Sequence, residues 1–432
     1  MFNTRETAVH PMPGKKFNCL CSPWGGPQQV IGHLTRWVCV CAALFLIATS
    51  TSPAQSAVRK GGSAITGNGQ SAFMKMGVKR TVSLSLESGS KLPGTQRWPK
   101  EAAWAWFNRQ PWPLGFNYIP ATAINTTEMW QRETFDPRTI EREMGAAAFA
   151  GFNCARVFIQ YLVWENDPEG LKARMRILMQ IAAHHRIRVI WVLFDDCAFG
   201  TMTEPFLGKQ PAVIPGEYAN GWTPSPGPSR VVDRASWPSL ERYVQDLMVT
   251  FRQDRRILAW DIYNEAGNSN IGNKSLPLLK AVFAWARGTK PSQPITSGIW
   301  SPQLTDFNKV ILDNSDFISF HNYGGADAMT HQIDDLEKET RPIICTEWLL
   351  REGGSTVANI LPILYNRRVG AVIWGLVNGK TQTNYHWGSK AGDPAPAVWQ
   401  HDIFHDNLIP YDPSEIALFQ HYARMRVSNA LP

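Results

Sequence analysis

The 432-residue chain is 44% hydrophobic, the ordinary content of a globular protein that buries a substantial core as one large domain or two smaller ones. Its net charge of +7 belongs to the first hundred residues: 1–57 carry +3, 58–100 carry +7 and 101–432 carry −3. The body therefore has no basic stripe, which excludes nucleic acid or an anionic surface as the partner it is built for.

In chain order, the first feature is a leader. Residues 37–48 form an apolar run that follows Arg36 and precedes the small-residue stretch 49–57. That is the order of an export signal, and the run is too short for an ordinary membrane span. Cleavage after Ala54 or Ser56 would leave a secreted or periplasmic protein with no stable membrane span; an uncleaved anchor is the alternative. Residues 58–95, rich in Gly, Ser, Lys and Thr, read as a linker or disordered extension, and the folded domain spans 96–432. Cys19, Cys21, Cys39 and Cys41 lie in the leader. Cys154, Cys197 and Cys345 match no zinc spacing and read as buried thiols, with a Cys154–Cys197 bridge as the alternative.

From Trp98 onward, short apolar runs alternate with helical patterns. The predicted strands are 114–119, 154–159, 188–194, 257–263, 295–299, 317–321, 343–346 and 370–374. Several are continuously apolar, as strands buried on both faces should be. The predicted helices are 136–150, 170–185, 239–252, 275–287, 328–339, 357–367 and 413–425, with 301–312 less clearly helical. Eight strands alternating with helices predict a (β/α)8 TIM barrel. A doubly wound sheet competes, but no glycine-rich phosphate turn follows the first strand. The long stretch 195–238, dense in Pro and Gly, follows the third strand and would overhang a site at the C-terminal rim.

Two of those strands end in glutamate. The fourth closes Trp-Asp-Ile-Tyr-Asn264-Glu265, and the seventh closes Ile-Ile-Cys-Thr-Glu347-Trp. A barrel carries both to one rim, where paired carboxyls can cleave a glycosidic bond: one attacks while the other donates and then accepts a proton. The 18 tryptophans supply core, and also flat apolar faces of the kind on which sugar rings stack.

Asn264-Glu265 and Glu347 resemble the acid/base and nucleophile of clan A glycoside hydrolases, closest to family 5. Arg156 in Gly-Phe-Asn-Cys-Ala-Arg, His321 and Tyr323 in Ser-Phe-His-Asn-Tyr, and Trp374 in Val-Ile-Trp-Gly are similar to that family's site residues on the second, sixth and eighth strands. The phrases at 115–120, 194–196 and 379–383 are similar to a subgroup labelled β-1,4-xylanase. The resemblance runs over about 101–425. It implies retaining hydrolysis of a β-linked polysaccharide or oligosaccharide, hemicellulose-type and including xylan, with no cofactor and no metal. It implies Glu347 as an ionised nucleophile of low pKa, favoured by Arg156 and Tyr323. Glu265 is then the acid/base, and Asn264 the partner of the sugar 2-hydroxyl. Where many family members end the third strand with histidine, this chain has Leu-Phe-Asp195-Asp196, which puts cellulase-like sugar contacts in doubt.

Each supporting residue also has a structural reading. Arg156 could be a buried ion-pair partner, His321 a core histidine, and Trp374 barrel packing. Asp195 and Asp196 could contact sugar or order the long loop. Trp164, Trp222, Trp300, Trp348 and Trp387 could wall subsites or fill the core. Three further functions stay open: an exo-acting glycosidase on terminal arabinofuranosides or galactofuranosides, a non-catalytic carbohydrate-binding barrel, and transglycosylation. A metal-dependent barrel is weaker, because His321 has no partner at ligand spacing in the sequence.

Overall fold

The computed structural model describes residues 96–428. The leader and the linker or extension expected over 1–95 lie outside the described residues. Nine parallel strand segments make one sheet: β1 (Leu114–Tyr118), β2 (Cys154–Phe158), β3 (Arg188–Val192), β4 (Ile257–Asp261), β5 (Ile295–Thr296), β6 (Gly298–Ile299), β7 (Ile318–His321), β8 (Ile343–Glu347) and β9 (Gly370–Ile373). Their order is β5-β4-β3-β2-β1-β9-β8-β7-β6. β5 and β6 are halves of one stave either side of Ser297, so the two ends of the sheet meet and the fold is an eight-stave (β/α)8 barrel.

The predicted strands each coincide with a stave. They are buried at nearly every position because helices cover the outside while side chains fill the inside. The predicted helices also form, including Thr305–Asn314 where the pattern was weakest. Local chemistry fixes their starts: Asp136 caps Pro137–Ala150 by accepting from Arg138 and Thr139 N–H, and Asp167 caps Pro168–His184 through Gly170 N–H. The stretch 195–238 is shorter as a loop than expected, since it contains the helix Pro228–Val232 and its end begins the helix Trp237–Phe251. A second long loop, between β9 and the last helix Pro413–Ser428, was not singled out by the pattern. No described helix is long and apolar enough to cross a membrane.

The inward-facing residues are layered from bottom to top. On β2 the inward set is Cys154, Arg156 and Phe158, following the period of two. Cys154 belongs to a lower apolar cluster with Ile190, Leu258, Phe317, Ile344 and Val372. Phe158 belongs to an upper aromatic cluster with Val192, Tyr218 and Trp222. Arg156 lies between them. The helix Lys100–Asn108, which the pattern did not reveal, closes the bottom by driving Trp106 and Phe107 into the lower cluster. The ring of Trp106 lies 5.1 Å from that of Phe317.

Trp106→Ala should therefore cost about 3–5 kcal/mol in urea unfolding, the usual loss for emptying a buried tryptophan site. A cost below about 1 kcal/mol would show that this helix does not seal the barrel.

Candidate active site

The C-terminal ends of the staves bring together the residues that the sequence separates. Arg156 is fully buried, and its five N–H bonds are all used. Nε and Nη2 donate to Asp261 Oδ2 at 3.0 and 2.8 Å, and Nη2 donates to Asn264 Oδ1 at 2.6 Å. Nη1 donates to Asn117 Oδ1 at 2.8 Å and to Glu347 Oε1 at 2.7 Å. The guanidinium also lies 4.9 Å from the centre of the Phe158 ring. Asn117 in turn donates to Thr346 O and Ile373 O, tying β1 to β8 and β9.

Glu347 accepts a second hydrogen bond on Oε2 from the Tyr323 hydroxyl, at 2.8 Å. Burial pushes that phenol well above its usual range, so it stays a donor. Glu265 stands opposite. Its Oε1 meets His321 Nδ1 at 2.7 Å, and its Oε2 accepts from Cys197 Sγ at 3.0 Å and from Asn268 Nδ2. Glu265 sits at φ 43°, in the left-handed region, a strain that is usually kept where a side chain must be aimed. One oxygen of each carboxyl and a ring nitrogen of His321 lie within 4.8 Å of one another. His321 therefore does have carboxylate partners that sequence spacing did not show. Glu347 Oε1, however, already bears the guanidinium charge.

His321 arrives there by a break in register. β7 pairs Phe320 with Cys345 and then His321 with Glu347, a bulge that re-aims the imidazole. Gly298 makes room for it, since a Cβ there would lie 2.8 Å from His321 Nε2. Burial lowers the imidazole to about 4, which keeps it neutral at ordinary pH.

Both catalytic candidates are pushed above the usual carboxylate range by burial. For Glu347 this overturns the expectation of a low pKa. His321 and Arg156 favour its ionised form, but Arg156 divides its charge with Asp261, and desolvation outweighs what remains. Two close buried carboxyls hold a proton between them. The direct ion pair and the phenol on Glu347 put that proton on Glu265.

Asp195 and Asp196 are 3% and 1% exposed, and their oxygens are turned into the protein. Asp195 accepts from Asn264 Nδ2, Cys197 N and Trp222 Nε1. Asp196 accepts from Tyr263 Oη, Gly267 N and Ser275 Oγ. They order the turn that carries Asn264 and Glu265, so the reading as sugar contacts gives way to the ordering one. Burial raises them to about 6 and about 7.

Two adjoining cavities open on the pair. One of 60 Å³ is lined by Glu347, Asn264, Trp374, Trp222 and Tyr218. The other, 330 Å³, is lined by Asn268, Ser269, Trp300 and His321. Glu265, Cys197, Phe199, Tyr323 and Trp387 border both. Trp374 packs edge-on against Trp222 and Phe158. Trp348 is instead fully buried, and Trp164 packs against Tyr161 and Tyr243, so these two are core. Cys197 is a thiol, which rules out the Cys154–Cys197 bridge.

Asn117, Asp261, Cys197 and Tyr218 were missed as site residues. Asp261 carried a signal, because an acid inside an apolar strand needs a buried partner.

Neither a family model nor a curated protein matches the sequence. Among solved structures, the chain is similar to an exo-β-1,4-mannosidase from Opitutaceae bacterium strain TAV5 at 15% identity and TM-score 0.53, covering 74% of this chain and 60% of that one. It is also similar to a glycoside hydrolase family 5 mannosidase from Rhizomucor miehei at 12% identity and TM-score 0.50, covering 74% and 95%. These likenesses establish a shared barrel fold.

Replacing Arg156 by Met should destabilise the protein by about 3–5 kcal/mol, since it strands two buried carboxylates. Asp261 and Glu347 already have raised pKa values, and losing the cation raises them further. A raised carboxyl contributes stability at low pH that is lost as pH rises through its folded pKa. The penalty in urea unfolding should therefore be larger at pH 8 than at pH 5; an equal penalty at both would contradict the ion pair.

Proposed function

We propose that the protein is a retaining glycoside hydrolase of the clan A, family 5 type, acting on β-linked, hemicellulose-type oligosaccharide or polysaccharide. The observation that carries this is the approach of Glu265 and Glu347 to within 4.8 Å, with only Glu347 on the guanidinium. Retaining enzymes hold their carboxyls about 5–5.5 Å apart, whereas inverting ones leave about 6.5–9.5 Å for a water.

In the first step a Glu347 oxygen attacks the anomeric carbon, and Glu265 gives its proton to the departing glycosidic oxygen. In the second, the Glu265 carboxylate takes a proton from water, which attacks from the face the leaving group vacated, opposite Glu347, and displaces it. Asn264 commits one amide proton to Asp195 and turns the other toward the Cys197 sulfur at 3.6 Å, a long contact that a sugar 2-hydroxyl can replace. Trp374 offers its face beneath the reacting ring. The barrels of similar fold include an exo-β-1,4-mannosidase, in keeping with a β-linked substrate. The export-type leader supports a secreted or periplasmic location.

The cavity shapes favour exo over endo action. The nucleophile lies in the 60 Å³ cavity, which is therefore the glycone side. This cavity has room for only a few waters, so it takes no more than one sugar residue. Tyr218 and Trp222 of the long loop line it. A single terminal residue, pyranose or furanose, suits so small a space. The 330 Å³ cavity beside Glu265 receives the leaving portion.

A panel of aryl glycosides and soluble polysaccharides tests both readings. Glu347→Ala should abolish turnover, and azide should restore it with inverted product. Glu265→Ala should lose about 10²–10⁴-fold on unactivated glycosides, with azide giving retained product from activated ones. Undiminished activity in Glu347→Ala would sink the assignment. Exo action predicts monosaccharide release without early loss of polymer viscosity; rapid thinning would overturn it.

A further inference from the structure

Cys197 occupies a place in the site that the double displacement does not by itself require. It follows the Asp195-Asp196 pair, borders both cavities, and puts Sγ 3.0 Å from Glu265 Oε2. Its backbone N–H is fixed by Asp195 Oδ1 at 2.9 Å, so the side chain is not free to wander with the loop. The sulfur has neighbours that settle which way its proton points. Asn268 Nδ2 donates to it at 3.3 Å and Asn264 Nδ2 approaches at 3.6 Å. With the Asn268 amide proton on a lone pair, the S–H is left to point at the carboxylate.

We propose that Cys197 is a positioning residue for the acid/base, its S–H donating to the Glu265 carboxylate and so stabilising the form that exists once the proton has passed to the leaving group. This rests on the hydrolase reading above.

A donor on the ionised form makes Glu265 a stronger acid. The bond strengthens as the Glu265 proton departs, because a hydrogen bond to a charged acceptor outweighs one to a neutral acceptor. No covalent step involves the sulfur, which keeps its proton throughout. The benefit falls on glycosides whose leaving oxygen needs that proton. Substrates that expel a stable phenolate do not need it. Burial keeps the thiol itself far above its usual range, as does the negative charge of Glu265, so it acts as a donor rather than a thiolate.

The test is a leaving-group series on the full-length enzyme, with Cys197→Ala and Cys197→Ser. Cys197→Ala should lower kcat/KM about 3–10-fold on unactivated glycosides while leaving dinitrophenyl glycosides within about twofold. The alkaline limb of its pH profile should move up by about half to one unit, since Glu265 then holds its proton to higher pH. Cys197→Ser, which keeps an oxygen donor, should restore most of both effects. Unchanged thermal midpoints exclude a folding defect as the cause. Equal losses across the series, an unmoved limb, or a well-folded Ser variant no better than Ala would each overturn the proposal. Should the unaltered enzyme turn over no glycoside at all, it is the hydrolase reading that falls; turnover without this pattern removes only the role of Cys197.

Discussion

One buried guanidinium organises the upper half of this barrel. Arg156 has no water to bond to, so each of its five protons must find a protein acceptor or leave a charged group unsatisfied. Its acceptors come from β1, β4, the turn after β4, and β8. Four parts of the chain must therefore agree in height and register before the charge is satisfied. A cation placed this way also sets the polarity of the site, because it touches Glu347 directly and reaches Glu265 only through Asn264 and across space.

The surrounding acids follow from the same constraint. Glu265, Glu347, Asp195, Asp196 and Asp261 are all raised by burial, and only Glu347 and Asp261 bond the arginine directly. Asp195 and Asp196 are tolerated because each accepts three hydrogen bonds. Those bonds hold the turn in which Glu265 adopts its left-handed conformation. Glu265 is thus aimed from behind by two carboxyls, and it faces a histidine that burial keeps neutral and a thiol. The ionisation of the carboxyl pair follows burial and partners together rather than any single contact.

Much of this was legible in the sequence. The apolar runs ending in Asn264-Glu265 and in Glu347 named both the staves and the carboxyls, because continuous hydrophobicity marks strands buried on both faces. Arg156, His321, Tyr323 and Trp374 all reach the site. What could not be read was anything that depends on packing between distant segments. The bulge that pairs His321 with Glu347, the room left by Gly298, and the turn of Cys197 toward Glu265 are properties of neighbours brought together only by the closed barrel. The low pKa expected for Glu347 failed for a related reason: a sequence shows the arginine but not the burial that outweighs it, nor the nearby Glu265 charge. The helix Lys100–Asn108 escaped notice because tryptophans so close to a basic, glycine-rich stretch gave no clear helical period.

That helix has a practical side. It brings the chain in at the floor of the barrel, with Trp98 fastened to Asp316 and Arg341, whereas the cavities open at the opposite rim. The last helix runs back toward the same floor, its Ala423 packing against Gly151 just ahead of β2. A linker attached at either end of the folded domain, for capture on a resin or fusion to another module, would therefore leave the mouth facing outward and unobstructed.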